Sequence, residues 1–199
     1  MKVYSTPLSG NSYKIRLFLS LLGLEHEVVD VDVAHGETRS SEFLRRNPRG
    51  QVPVLEDGEV TVWDSQAILV YLARRYCMAW LPTEAIPLAE VLQWLAVSQN
   101  ELLYGLASAR AVKRYGFECD FGQAQELGRS GLAVMDAHLR TRDWLAAGRP
   151  TVADVACFPY VALAPEGEVA LHPYPQVLRW IARIKTLPGF IGMEGIGSD

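Results

Sequence analysis

Two polar clusters, each at the start of a helical pattern, are the residues of this chain best placed to do chemistry. The first lies in PLSGNSYKIRLFLSLLG, where Ser9, Asn11 and Ser12 stand at the entry to an apolar helix. The first amides of a helix have no partners within it, so these side chains can cap the helix or help to hold an anion there. Both interpretations stay open at this point.

The second cluster follows a predicted hairpin and begins the helix DSQAILVYLARRY. The free amides at Ser65 suit a carboxylate, and Asp64 offers a partner for an ammonium group. Plain helix capping by Asp64 or Ser65 is the alternative interpretation of the same residues.

Pro53 interrupts an otherwise regular strand pattern in GQVPVLED, which confines that strand to an edge of its sheet. If Val52–Pro53 is cis, the Val52 amide and carbonyl are free to pair with a peptide-like ligand as one more strand. A trans proline on an ordinary edge strand is the alternative. An anion pocket, a cation partner and a strand-like edge would together suit a small zwitterionic peptide.

The chain divides into two parts with different patterns. Residues 1–76 alternate strand and helix signals in the order β-α-β-α-β-β-α, with Asp57-Gly58 as a strong hairpin turn. Residues 77–87 form a proline-containing linker, and residues 88–199 show only helical periodicity. The predicted fold is therefore an α/β domain followed by an all-α domain, whose helices we expect at residues 88–111, 123–140, 152–163 and 177–186.

Composition excludes several classes of function. The net charge of −4 gives no reason to expect nucleic acid as a partner, and no apolar run is long enough to span a membrane. The start lacks the apolar region of a secretory signal, so a cytoplasmic location is expected. No metal site is expected either, because the histidines share no ligand spacing and the cysteines are scattered, at Cys77, Cys119 and Cys157.

In combination these motifs resemble the cytosolic glutathione transferases, of the serine-type or bacterial kinds. The resemblance rests on the order of elements, on GQVPVL and DSQAI, on the Thr151–Asp154 capping box of TVADVACFPY, and on the final YPQVLRWIARIKTLPGFIGM. It covers essentially the whole chain. It implies a thioredoxin-like first domain, a helical-bundle second domain, glutathione as co-substrate and a homodimer.

The resemblance also implies roles for single residues. Gln51 and the backbone of Val52, before a cis Pro53, would hold the cysteinyl-glycine part of glutathione, and Ser65 with Asp64 its γ-glutamyl group. The family more often has Glu at position 64, so this contact is one methylene shorter.

At the other end of the tripeptide, Arg39 would reach the glycine carboxylate. Thr38 stands where some relatives carry His, and His35 is an alternative contact.

The resemblance further implies that a hydroxyl of the first polar cluster donates a hydrogen bond to the glutathione sulfur and lowers the pKa of its thiol. Lowering a thiol pKa from about 8.5 by two units takes about 2.7 kcal/mol. One hydrogen bond to a charged group supplies about 1.5–3 kcal/mol and a helix N-terminus about 0.3–1 kcal/mol more. Ser9 is the first candidate, because it lies five residues before Lys14 as in the serine-type pattern. Asn11 and Ser12 are rivals.

The second substrate is expected between the two domains, against the Leu8 loop and the helix that contains Tyr104, Ser108 and Arg110. A packed or solvated helix face is the alternative for Tyr104 and Arg110. Conjugation of glutathione to an electrophilic small molecule is the leading hypothesis. Glutathione-dependent reduction of a disulfide or peroxide is favoured if Asn11 faces the sulfur, and a non-catalytic binding or regulatory protein is the third hypothesis.

Overall fold

The computed structural model describes residues 1–197; the last two residues of the predicted helical domain lie outside this range. Its single sheet has the strand order β2-β1-β3-β4. β1 is parallel to β2 and antiparallel to β3, and β3 is antiparallel to β4. The strands are β1 (Lys2–Ser5), β2 (Glu27–Asp30), β3 (Val54–Asp57) and β4 (Val60–Trp63).

Helices surround this sheet and make up the second half of the chain. The first half contains α1 (Gly10–Leu21), α2 (Ser41–Arg46) and α3 (Ser65–Tyr76). The second half contains α4 (Ala85–Gln99), α5 (Ser108–Tyr115), α6 (Phe121–His138), α7 (Val152–Ala162) and α8 (Pro175–Lys185). The predicted fold class, a thioredoxin-like unit followed by a helical one, is confirmed. Nowhere in residues 1–197 does a helix combine the length and apolarity needed to cross a membrane.

Two elements differ from the expectation. β3 is not the edge strand that Pro53 suggested but a central strand between β1 and β4, because Pro53 precedes its first residue, Val54, and so removes no donor from either ladder.

The second difference is in the helical half. The predicted continuous helix over residues 88–111 is broken after Gln99, and a wider π-helical stretch, Glu101–Ala107, joins α4 to α5. This stretch packs very closely on α6, because a Cβ added at Gly105 would lie 2.4 Å from the backbone nitrogen of Gly128. π-Helical turns are uncommon and have no clear sequence signal, so hydropathy periodicity does not reveal them.

The two halves share one hydrophobic core. Leu17 and Phe18 of α1 belong to the same buried cluster as Val155 and Phe158 of α7 and Trp180 of α8. α1 is therefore covered on both sides, by the sheet and α3 in its own half and by α7 in the other. Its position depends on both halves of the chain.

A buried carboxylate organises the start of α7. The Asp154 side chain is fully buried and accepts hydrogen bonds from the Thr151 amide at 2.9 Å, the Leu145 amide at 3.1 Å and Trp180 Nε1 at 2.9 Å. It thus completes the capping box and also ties α8 and the preceding loop to α7. Burial raises the pKa of Asp154 to about 6.

We expect Asp154→Ala to lower the free energy of unfolding by about 3–5 kcal/mol, because three buried donors lose their acceptor together. Asp120 is the matched control, since it caps α6 from an exposed position through the Gln123 amide. Asp120→Ala should cost only about 1 kcal/mol. Denaturant unfolding of the two variants measures both values, and equal losses would contradict the role assigned to Asp154.

Candidate functional site

A pocket lies where the start of α1, the loop before β3 and the start of α3 meet. It brings together six residues that the sequence singled out for one site: Asn11, Gln51, Val52, Pro53, Asp64 and Ser65. Three further residues complete its lining: Asn47, Arg49 and Trp63. Ser9, Ser12 and Arg39 are not part of this lining.

The loop before β3 forms one wall of the pocket. The Val52–Pro53 peptide bond is cis, and Val52 lies just outside the ladders that β3 makes with β1 and β4. Asn47 shapes the loop from inside: its side-chain amide donates to the Gln51 carbonyl at 2.7 Å, and its oxygen accepts from the Arg49 amide at 3.0 Å. This wall therefore places a strand-like edge at the pocket, held by a side chain that sequence analysis did not identify.

Asp64 has two roles at the opposite wall. One carboxylate oxygen caps α3 by accepting from the amides of Gln66 at 2.9 Å and Ala67 at 3.3 Å, and the other lies 3.4 Å from the Arg49 guanidinium. Its φ of +75° is rare for a residue with a side chain, at a typical cost of about 1–3 kcal/mol. The capping interpretation is therefore confirmed, the carboxylate also pairs with Arg49, and its role toward a ligand ammonium stays a prediction.

Ser65 connects the two helix starts. Its hydroxyl does not cap α3 but donates to Asn11 Oδ1 at 3.0 Å. This bond uses the acceptor of the Asn11 amide and leaves its NH2 group for another acceptor. The α3 terminus and the polar cluster of α1 are thus parts of one site.

The other two candidates for thiol activation have different surroundings. Ser9 is the N-cap of α1, and its Oγ accepts from the Ser12 amide at 3.2 Å. A hydroxyl that accepts one hydrogen bond still has its own hydrogen to donate. Ser12 is fully buried, and its Oγ has no hydrogen-bond partner within residues 1–197. This placement is unfavourable to Ser12 as the group that meets a ligand.

The residues expected at the glycine end of a tripeptide lie outside the pocket. Arg39 Nη1 is 3.5 Å from the Arg49 carbonyl, and His35 is exposed and bound to Asp32 at 2.6 Å. Thr38 is buried. Arg49 is the basic residue that lines the pocket, and only its position in the turn before Gln51 could have suggested it.

The residues expected to contact a second substrate differ in exposure and in their hydrogen-bond partners. Tyr104 is 62% exposed, whereas the Ser108 hydroxyl donates to the Leu103 carbonyl in the preceding π-helical stretch. Arg110 is buried and donates to the Leu8 carbonyl at 3.0 Å. Tyr115, which sequence analysis did not identify, donates to the same carbonyl at 3.2 Å.

Comparison with known proteins identifies the family. Family models described as the N-terminal and C-terminal domains of glutathione S-transferase match residues 1–74 and 109–183. Glutathione S-transferase 3 of Zea mays is 30% identical, with 96% of this chain and 91% of that protein covered. The chain belongs to the glutathione S-transferase family.

Other members of this family differ in their stated activities. The disulfide-bond oxidoreductase YfcG of Escherichia coli is also 30% identical, over 94% of this chain and 90% of its own. The crystal structure of a glutathione S-transferase from Pseudomonas fluorescens has a TM-score of 0.91 at 34% identity, covering 96% of this chain and 98% of that one. Membership of the glutathione S-transferase family therefore does not by itself fix the reaction.

A buried lysine lies between the two halves of the chain, three residues after Asn11 in α1. Lys14 of α1 is fully buried, with Nζ 3.4 Å from Ser98 Oγ and 4.1 Å from the centroid of the Tyr160 ring. Ser98 also accepts from Gln66 Nε2 at 3.2 Å, so the contact reaches the first turn of α3. Burial lowers the pKa of Lys14 from 10.5 to about 7.

This pKa predicts a pH dependence of stability. Between pH 7 and 9 the unfolded chain keeps the Lys14 proton that the folded chain has released, so the free energy of unfolding rises with pH, by at most about 1.4 kcal/mol per unit. Above pH 9 the Cys157 thiol, whose pKa is raised by burial, acts in the opposite direction. Lys14→Met should remove this rise, and Lys113→Met, at an exposed position of α5, should keep it. Unfolding curves across this range test the prediction, and parallel profiles for all three proteins would contradict it.

Proposed function

We propose that this protein binds glutathione in the pocket between α1, the loop before β3 and α3, and joins it through its sulfur to an electrophilic carbon. The observation that carries the proposal is the convergence of complementary groups in one small pocket. The pocket suits a peptide that has two carboxylates and one ammonium group. It offers a helix N-terminus at Ser65, a carboxylate at Asp64, a free strand edge at Val52 and a cation at Arg49.

Each group of the pocket has a distinct task in this proposal. The Ser65 amide, the first of α3 and the one that Asp64 does not cap, holds the γ-glutamyl carboxylate, and Asp64 holds its ammonium. The backbone of Val52 pairs with the cysteine residue. Arg49 adds positive charge to a wall that faces two carboxylates, while a role for Arg39 stays a prediction.

The start of α1 acts on the sulfur. The Ser9 hydroxyl and the Asn11 NH2 group are donors that prefer the anionic sulfur to the neutral thiol, and the helix N-terminus acts in the same sense. The thiol proton leaves to solvent, and the sulfur forms a bond to the electrophilic carbon. In a substitution, the leaving group departs with the electrons of the bond that breaks. When the sulfur adds to an activated double bond instead, the neighbouring carbon takes up a proton.

Disulfide reduction is the second candidate function, and the position of Asn11 favours it. Asn11 lines the pocket, whereas Ser9 does not. None of the three cysteines lines it either, and Cys157 is buried. Two glutathione molecules would then supply both electrons: the first displaces one thiol and forms a mixed disulfide, and the second releases the other thiol and yields oxidised glutathione. The similarity to YfcG supports this candidate.

We also propose a homodimer, as the family resemblance implies. α4 exposes large apolar side chains, with Ile86 at 76% and Leu92 at 53% exposure, and Met78 before it is 58% exposed. A second copy that covers this face would remove apolar area from water.

The Ser9 hydroxyl can be tested directly. We expect Ser9→Ala to raise the apparent pKa of bound glutathione by about one unit or more, because the anion loses a charge-assisted hydrogen bond. Ser40→Ala is the matched control, since Ser40 caps α2 in the same way, through the Phe43 amide at 3.1 Å. Thiolate absorbance is measured against pH. An unchanged titration in Ser9→Ala would transfer the role to Asn11, whose alanine variant is measured in parallel.

The two reactions can be separated by their substrates. We expect the protein to bind immobilised glutathione, to be released by free glutathione, and to conjugate an aryl halide or an enone faster than it reduces a small disulfide. Asn11→Ala should then lower both rates together. Faster disulfide reduction would favour the second candidate, binding without turnover would favour a non-catalytic role, and failure to bind would contradict all of these proposals.

A further inference from the structure

The Leu8 carbonyl, one residue before Ser9, is held by the helical half of the protein. Arg110 Nη1 donates to it at 3.0 Å and the Tyr115 hydroxyl at 3.2 Å, both from α5. A carbonyl oxygen has two lone pairs, so these donors satisfy it completely. The chain therefore enters the polar cluster of α1 from Leu8, whose position is fixed by residues about a hundred positions later in the sequence.

Arg110 is itself fixed in orientation. Its side chain is only 7% exposed, and its Nε donates to Glu166 Oε2 at 2.7 Å. The segment that carries Glu166 packs directly on α5, because a Cβ added at Gly167 would lie 2.8 Å from the Arg110 amide nitrogen. The guanidinium is a rigid planar fork, so a carboxylate that fixes one edge also fixes the direction of the other.

The residue on the other side of Ser9 is also held. Gly10 lies against α7, where an added Cβ would be 2.9 Å from the Tyr160 ring. Ser9 therefore stands between two positions that the helical half determines, Leu8 and Gly10. Its Oγ is oriented further by the Ser12 amide.

We propose that Arg110, oriented by Glu166, is a positioning residue that sets the Ser9 hydroxyl for the glutathione sulfur and does not contact the second substrate. This inference rests on the proposed function and on Ser9 as a donor to the sulfur. Two edges of the guanidinium are used by Glu166 and Leu8, and its remaining nitrogen is buried without a hydrogen-bond partner in the described part of the chain. The guanidinium also lies over the Tyr115 ring, 5.6 Å from its centroid, so its contacts are with the protein itself.

Arginine is required here because one planar group must reach two acceptors at fixed angles. Lysine keeps the charge beside Glu166, but a single flexible ammonium cannot reproduce this fork. Arg110→Lys therefore retains the buried ion pair and releases the Leu8 carbonyl from one of its two donors. Its effect should appear in the position of Ser9.

A double-mutant cycle tests the inference. Arg110→Lys should raise the apparent pKa of bound glutathione by about half a unit or more, and the same substitution in a Ser9→Ala background should cause no further shift. Arg183→Lys is the matched control, because Arg183 also joins a carboxylate and a backbone carbonyl, both of Asp143, at 2.6 Å each. It should leave the titration unchanged. Thiolate absorbance against pH is again the measurement.

The other outcomes of the double-mutant cycle would overturn either the inference alone or the proposed function as well. An unchanged titration in Arg110→Lys, an additive shift in the double variant, or a Ser9→Ala variant without effect would overturn the inference and leave glutathione binding in place. A wild-type protein that does not bind glutathione, or binds it with an ordinary thiol pKa, would overturn the proposed function as well. If Arg110→Lys does not fold, Tyr115→Phe removes the other donor to Leu8 without a change of charge, and the same cycle decides.

Discussion

The site depends on the position of the start of α1 relative to the loop before β3 and the start of α3. Contacts from both halves of the chain fix that position. The sheet and α3 pack on one side of α1 and α7 on the other, within a single hydrophobic core. Polar contacts repeat this arrangement: Leu8 is bound from α5, Lys14 meets Ser98 of α4, and Asn11 meets Ser65 of α3. The helical half is therefore part of the machinery that aligns the polar residues of the first half.

The hydrogen bond between Ser65 and Asn11 has a consequence for binding. It joins the terminus proposed to hold a carboxylate to a residue proposed to face the sulfur, over 3.0 Å. A ligand that settles on the first turn of α3 would act on the orientation of the Asn11 amide as well. Asp64 strengthens this coupling, since its carboxylate fixes the α3 amides and pairs with Arg49 at once.

The sequence could predict what local chemistry decides. The two polar clusters at helix starts, the hairpin at Asp57-Gly58 and the capping box at Thr151 follow from a few neighbouring residues, and the structure contains all of them. Which residue of each cluster is the cap, Ser9 and Asp64, came only from the structure. Contacts between distant segments were beyond reach. Arg110 meets Leu8 and Glu166 across 102 and 56 residues. The sequence offered it as a second-substrate contact or as part of a packed or solvated helix face, and could not give these two partners.

The number of donors at the sulfur is also constrained by reactivity. Each donor raises the fraction of thiolate, but a thiolate loses nucleophilicity as its pKa falls, with a Brønsted slope of about 0.4–0.5, and the best attacking thiol has a pKa near the ambient pH. A helix terminus, at about 0.3–1 kcal/mol, with one hydroxyl and one amide, at about 1.5–3 kcal/mol each, is already enough to bring the thiol pKa to that optimum. A third side-chain donor would lower the pKa further for little gain in rate. The complete burial of the Ser12 side chain agrees with this limit.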